Sequence, residues 1–231
     1  MPPPRTNPED DLQRTLNSVT SYLEKQSCNG TYWEGHLAES ALATAVAVFS
    51  LSCVDPKAYR QPIEQGCQWL ASNQNKDGGW GETVLSESNL STTLLCRASL
   101  RGLPEDLQQH NTTLDRSDTW MEEHAGGTEP NTVASAVLHN YGKDRTFSAP
   151  ILSMCALAGE LGSDERVWRF VPQLPFEFGL FPQRFYKWLR LPVVSYAIPA
   201  LMAVGVLRHR RGPRGSRLAR LVRTKLERKA L

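Results

Sequence analysis

Six residue identities in this chain recur at a constant offset of 48 positions, and that repeat constrains the fold more than any other feature. Gln26, Gly30, Glu39, Ser40, Leu42 and Thr44 return as Gln74, Gly78, Glu87, Ser88, Leu90 and Thr92, and Tyr32 falls where the second copy has Trp80. A fixed period of about 20–50 residues marks a repeat architecture, in which one unit cannot bury its apolar face alone and must stack on its neighbours. Each copy reads as a helix, a Gly-rich turn closed by an aromatic residue, and a second helix.

Apolar spacing assigns the helices. Leu12, Leu16, Val19 and Leu23 place one apolar face on a helix over 11–25, and the nearly all-apolar stretch 38–53 predicts a second. Asp55-Pro56 is a cap and a first-turn proline leading into a helix over about 59–73, with Ile63, Cys67 and Leu70 inward. Asp77-Gly78-Gly79 is a turn, and 90–100 resumes as a buried helix. In each copy the first helix is amphipathic and the second lacks a polar face, the pattern of an outer and an inner layer. An eroded third copy is expected around Trp120, Gly126-Gly127 and an apolar helix over 146–158. No stretch alternates with period two for long enough to propose a sheet. The expected fold is all-α: an incomplete α/α barrel of repeated helical hairpins over 11–207, with a disordered lead-in over 1–10 and a basic amphipathic helical tail over 208–231.

Composition excludes several classes of function. With 40% hydrophobic and 22% charged residues in 231, the chain can bury a core. The five scattered cysteines, none in a CxxC pair, argue against a disulfide framework or a zinc site and for a reducing compartment. The five histidines show no ligand spacing on one helical face, and no phosphate loop or Ser/His/Asp grouping appears. The proline-rich, acidic start is not a signal peptide, and the apolar run 191–207 is short and broken by Pro192 and Pro199. A cytoplasmic protein with peripheral membrane contact is expected. Net charge is +2, but the last 24 residues carry ten Lys/Arg against Glu227, leaving about −7 for the rest.

Gly66-Cys67-Gln68-Trp69-Leu70, leading to Gln74 and then Asp77-Gly78-Gly79-Trp80-Gly81, resembles the Gln–Trp repeat of the squalene–hopene and oxidosqualene cyclases. The first copy departs from it, with Tyr32 at the Trp position and Trp33 one place late. The segments from Gly142 to Ser148 and from Trp188 to Tyr196 are similar to that family as well. The resemblance spans roughly 12–207 and corresponds to the amino-terminal part of a bacterial squalene–hopene cyclase.

It implies two α/α barrels around an apolar cavity, squalene or a similar isoprenoid as substrate, a polycyclic triterpene as product, and no cofactor or metal. In such enzymes an Asp in an Asp-x-Asp-Asp motif protonates an alkene, and aromatic faces stabilise the cations. That motif is absent here, and Glu9-Asp10-Asp11 has the wrong spacing. The chain therefore supplies no catalytic residue, and a carboxy-terminal cyclase half or partner subunit would bring the acid. The competing reading is a non-catalytic α/α-barrel module that binds lipid or a partner subunit.

Each candidate residue carries two readings. The resemblance makes Trp188, with Phe185 and Tyr186, part of the substrate-cavity wall, whereas a Trp beside an apolar helix also serves as plain core. The same choice applies to the aromatic cluster between Trp168 and Trp188. Gln26, Tyr32, Trp33, Gln74, Gly78 and Trp80 form the repeat clasp, each Gln amide serving backbone groups left open at a helix end and packing on the following aromatic ring. Asp144 is a helix cap or, with Arg145, a cavity edge; Glu39 and Glu87 complement helix dipoles. The basic amphipathic tail rests on an anionic membrane or leads solvated into a missing half. A nucleic-acid role has no support beyond the basic run. An incomplete ring also predicts an exposed apolar surface near 191–207, where the chain would oligomerise or meet a membrane.

Overall fold

In a computed structural model the described residues are 8–35, 37–177, 184, 188, 198–212 and 223–224. The chain divides into two compact units, Met1–Ala38 and Glu39–Leu231. Eight α-helices lie among the described residues, and the fold is all-α.

In the first unit, α1 (Pro8–Gln26) opens with Glu9, Asp10 and Asp11 and closes with Lys25, charges that complement the helix dipole at both ends. A turn through Asn29 and Gly30, both at positive φ, follows it. The turn is closed by a small antiparallel pair that the period-two reading did not anticipate: β1 (Ser27–Cys28) against β2 (Tyr32–Trp33). Two residues per strand are too few to leave an alternation in the sequence.

The second unit holds α2 (Ala41–Val54), α3 (Arg60–Ser72), α4 (Leu90–Arg101), α5 (Asn111–Ala125), α6 (Pro130–Tyr141), α7 (Arg145–Leu157) and α8 (Ile198–Arg211). Their starts are chemically marked. Ser40 caps α2 by accepting from the Ala43 amide, and Asn89 caps α4 by accepting from Thr92. Asp144 caps α7, its carboxylate taking the Thr146 amide at 2.8 Å and hydroxyl at 2.6 Å, which settles its role in favour of the cap. Asp55 instead closes a turn by accepting from Lys57 and Ala58, and α3 begins further on.

Helix α4 is the hub of this unit. It packs on α2, α5 and α7, and every residue from Thr92 to Leu100 is buried. Helix α3 buries only Ile63, Cys67 and Leu70, packing that face on α2. This is the inner and outer contrast expected from the helix faces. Inner helix α2 is only half covered: Ala41, Ala45, Val48 and Phe49 are buried while Val46 and Val54 are exposed. The third copy departs from expectation. Gly126 ends α5 in the left-handed conformation, and α6, started by Pro130 and burying Val133, Ala134 and Val137, intervenes before the apolar α7. All five thiols are free, and Cys67, Cys96 and Cys155 are core residues; burial pushes the Cys67 thiol up to about 11.

Candidate functional site

The turn between α3 and α4 is where the repeat residues converge. Trp80 is 0% exposed, and its indole donates to the Leu70 carbonyl at 2.9 Å, closing an open carbonyl in the last turn of α3. Its backbone amide donates to the Thr93 hydroxyl of α4 at 3.0 Å, so one residue ties both helices of the hairpin. The Gln74 amide donates to Gly78 O at 2.8 Å and Thr113 O at 2.9 Å. Gln74 thus binds the turn and α5 rather than the end of α3, where the Trp69 carbonyl accepts from both the backbone amide of Asn73, at 3.0 Å, and its side chain, at 2.9 Å. The expectation that Gln serves the helix end is corrected in this respect: Asn73 and Trp80 reach those carbonyls first.

Helix α5 holds this turn from outside. Arg116 donates to the Asn75 and Lys76 carbonyls, and the Trp120 indole donates to Asp77 at 3.1 Å. Trp120 therefore belongs to the second clasp. Burial pushes the Asp77 carboxyl up, but the Ser88 hydroxyl, the Gly79 amide and the Trp120 indole outweigh it and hold Asp77 below its usual value. Gly78, at φ 91°, lies where a Cβ would stand 2.4 Å from the Arg116 carbonyl oxygen. Only glycine satisfies both the left-handed turn and the close approach.

The first copy is built differently. Gln26 and Tyr32 are exposed, and Trp33, not Tyr32, makes the indole bond, donating to Leu23 O at 2.7 Å. Counted from the repeat Gln, the indole comes one residue later than in the second copy, and its acceptor lies one residue nearer that Gln.

A second constellation went unread in the sequence. Arg97 of α4 is fully buried, with Nε donating to Glu160 Oε1 at 2.9 Å and a terminal nitrogen to the Ser117 hydroxyl at 3.0 Å and to Asp118. Arg101 joins both carboxylates, at 2.9 Å to Asp118 and 3.4 Å to Glu160. Two guanidiniums against two carboxylates lock α4 to α5 and to the turn after α7. The available signal was Arg97 itself, the one charge inside the apolar stretch 90–100. With every member engaged in the network, its chemistry is structural.

Of the cavity-wall candidates, Trp188 is 77% exposed, while Phe185 and Tyr186 lie outside the described residues. In the same aromatic cluster Trp168 and Phe176 are buried core. The run 191–197 and most of the basic tail, 213–222 and 225–231, are also outside the described residues. Among the described residues no helix is long and apolar enough to cross a membrane.

Residues 16–152, more than half of the chain, match the squalene-hopene cyclase N-terminal domain. The chain belongs to that family. Among curated relatives it is 27% identical over 201 residues to the squalene hopane cyclase of Aspergillus fumigatus, covering 83% of this chain and 24% of that protein. It is 22% identical over 126 residues to the alpha-onocerin synthase of Lycopodium clavatum (52% and 16%) and 30% identical over 100 residues to the dammaradiene synthase of Dryopteris crassirhizoma (36% and 15%). The chain thus spans a quarter or less of each relative's length. No solved structure matches it. The buried α3–α4 clasp and the Arg97 network both lie, at least in part, inside the matched cyclase segment.

Proposed function

We propose that this chain forms the amino-terminal α/α-barrel part of a squalene–hopene-type triterpene cyclase, an isomerase converting squalene or a similar isoprenoid into a polycyclic product. The observation that carries the reading is the match to the cyclase amino-terminal domain over residues 16–152, which includes the buried Gln74–Trp80 clasp. In this reading the clasp and the Arg97 network keep the helices rigid, so that an apolar wall holds a folded polyene in one conformation. Rigidity matters because cyclisation succeeds only when reacting carbons are already close and aligned.

The chemistry divides between this chain and the rest of the enzyme. A carboxylic acid from outside the chain protonates an alkene, the cation migrates through ring closures, and loss of a proton returns the net formula of the substrate. Trp188, with Phe185 and Tyr186, would present aromatic faces to the cation, whose charge is attracted by the ring quadrupole. Neither step calls for a cofactor.

Incubation of the purified chain with squalene, alone and with a supplied carboxy-terminal cyclase half, tests this directly by gas chromatography–mass spectrometry. Cyclised product in the mixture alone is the expected result. Product from the isolated chain would place a proton donor within it. No product in either case, with the complex verified, would favour a non-catalytic lipid-binding or partner-subunit module.

A further inference from the structure

The first unit has no core of its own. Among the described residues of Met1–Ala38 none is buried. Leu12, Leu16, Val19 and Leu23 share one face of α1 and are 48–70% exposed. A helix of this length is marginal in water unless its apolar face is packed, so that face calls for an occupant.

The second copy shows what such a face packs on. The two indole bonds superpose Trp33 and Leu23 on Trp80 and Leu70, 47 positions on. At that offset Leu16 and Leu23 correspond to Ile63 and Leu70, which are fully buried on α3 as it packs against the apolar helix α2. Val19 corresponds to Gly66, where a Cβ would stand 2.4 Å from the Val48 side chain of α2. With valine in that place, a helix can approach α1 as closely only if it is smaller than α2 there, with glycine or alanine opposite. Charge argues against an anionic lipid surface as the occupant. Helix α1 carries Glu9, Asp10, Asp11 and Glu24 against Arg14 and Lys25, whereas interfacial helices are rich in Lys and Arg.

We propose that the Leu12, Leu16, Val19 and Leu23 face of α1 docks on an apolar helix from the carboxy-terminal part of the cyclase, with glycine or alanine against Val19. This assignment of the occupant rests on the cyclase reading, which places most of the enzyme outside this chain. Helix α3 packs on α2, the inner helix before it in the repeat order. In a closed ring of such hairpins the first outer helix meets the last inner one, and that helix belongs to the carboxy-terminal part.

Hydrogen exchange at the α1 amides tests this in the full chain: alone at two concentrations, with phosphatidylglycerol vesicles, and with a supplied carboxy-terminal cyclase half. Calorimetry gives the affinity for that half. Protection gained only with the half is expected, with binding weakened at least about tenfold in Leu16→Glu. Ser21→Glu, on the opposite face of α1, should change the affinity by less than about twofold. Leu16 is exposed, so Leu16→Glu should leave the unfolding midpoint of the isolated chain unchanged. Protection in the chain alone, protection that grows with its concentration, or protection on vesicles gives the face another occupant and overturns the proposal. Equal affinities of Leu16→Glu and the parent also overturn it. If the half binds and yields cyclised product while α1 stays unprotected, the docking fails and the cyclase reading stands. No binding and no product overturns both.

Discussion

In Met1–Ala38 the Trp33 indole donates to a carbonyl ten residues back, and in Glu39–Leu231 the Trp80 indole does the same. Trp33 is 58% exposed, whereas Trp80 is fully buried. The hydrogen bond is therefore a local property of a helix, a Gly-bearing turn and an indole, and it forms with or without burial. What distinguishes the second clasp is α5, which contributes the Thr113 carbonyl, the Arg116 side chain and the Trp120 indole to the same turn. The second clasp owes its burial to a helix outside its own hairpin, as expected where single units cannot bury their own faces.

The largest test separates indole bonding from indole burial. Trp80→Ala removes a fully buried ring and should cost about 4 kcal/mol. Trp33→Ala removes a comparable hydrogen bond at an exposed position and should cost about 1 kcal/mol. Urea unfolding of both variants checks this, and equal costs would mean that burial by α5 is not what separates the two clasps.

The next test compares the inner helices. Forty-eight positions before Arg97 the first copy has Phe49, so α4 carries a charge where α2 carries a ring. Arg97→Met leaves buried Glu160 with only its longer contact to Arg101, at 3.4 Å, and should cost about 3 kcal/mol. Adding Glu160→Gln should recover part of that loss, since the stranded charge is gone. A double variant no more stable than the single one, measured by thermal unfolding, would show that packing rather than charge dominates there.

How much of this could be read in the chain depended on whether the cause was local. The helix over 90–100 was legible as fully buried because it lacks a polar face, and α4 is buried from Thr92 to Leu100. The similar apolar run in α2 led to the same expectation, yet Val46 and Val54 remain exposed, because coverage depends on neighbours and not on the helix itself. The Gln74–Trp80 clasp was legible from its spacing. The bonds of Gln74 were not, since its acceptor on Thr113 lies 39 residues away. Glu160 was invisible for the same reason, being 63 residues from Arg97. Trp33 seemed one place late, whereas its acceptor had moved by one as well. Helix α6 passed unread because Val133, Ala134 and Val137 make only a short apolar stripe.

The two turns also differ at glycine. Gly30 and Gly78 both have positive φ, but only Gly78 has backbone within reach of an added Cβ. Gly30→Ala should cost about 1 kcal/mol from backbone strain alone, and Gly78→Ala roughly 2 kcal/mol, because Arg116 must also move. Chemical denaturation of both variants measures the gap. Equal costs would mean that α5 yields freely, contrary to the anchoring role given to it here.

The smallest effect concerns acid. Forty-eight positions before Asp77 the first turn has Asn29, so Asp77→Asn gives the second turn the uncharged side chain of the first. The folded-state pKa of Asp77 is lowered, so its contribution to stability is complete above the unfolded carboxylate value and is lost as pH falls through the lowered one. Because Asp77 is exposed, solvent screening keeps that contribution under about 1 kcal/mol. Asparagine keeps one acceptor oxygen, enough for the Gly79 amide and Ser88 hydroxyl on Oδ1 but not for the Trp120 indole on Oδ2. Asp77→Asn should therefore be less stable than the parent by up to about 1 kcal/mol at about pH 6, with the gap narrowing once the pH falls below about 4. The difference in unfolding midpoint should therefore shrink as acid is added. A gap that stayed constant with pH would assign the role of Asp77 to shape rather than charge, and would make the two turns chemically equivalent.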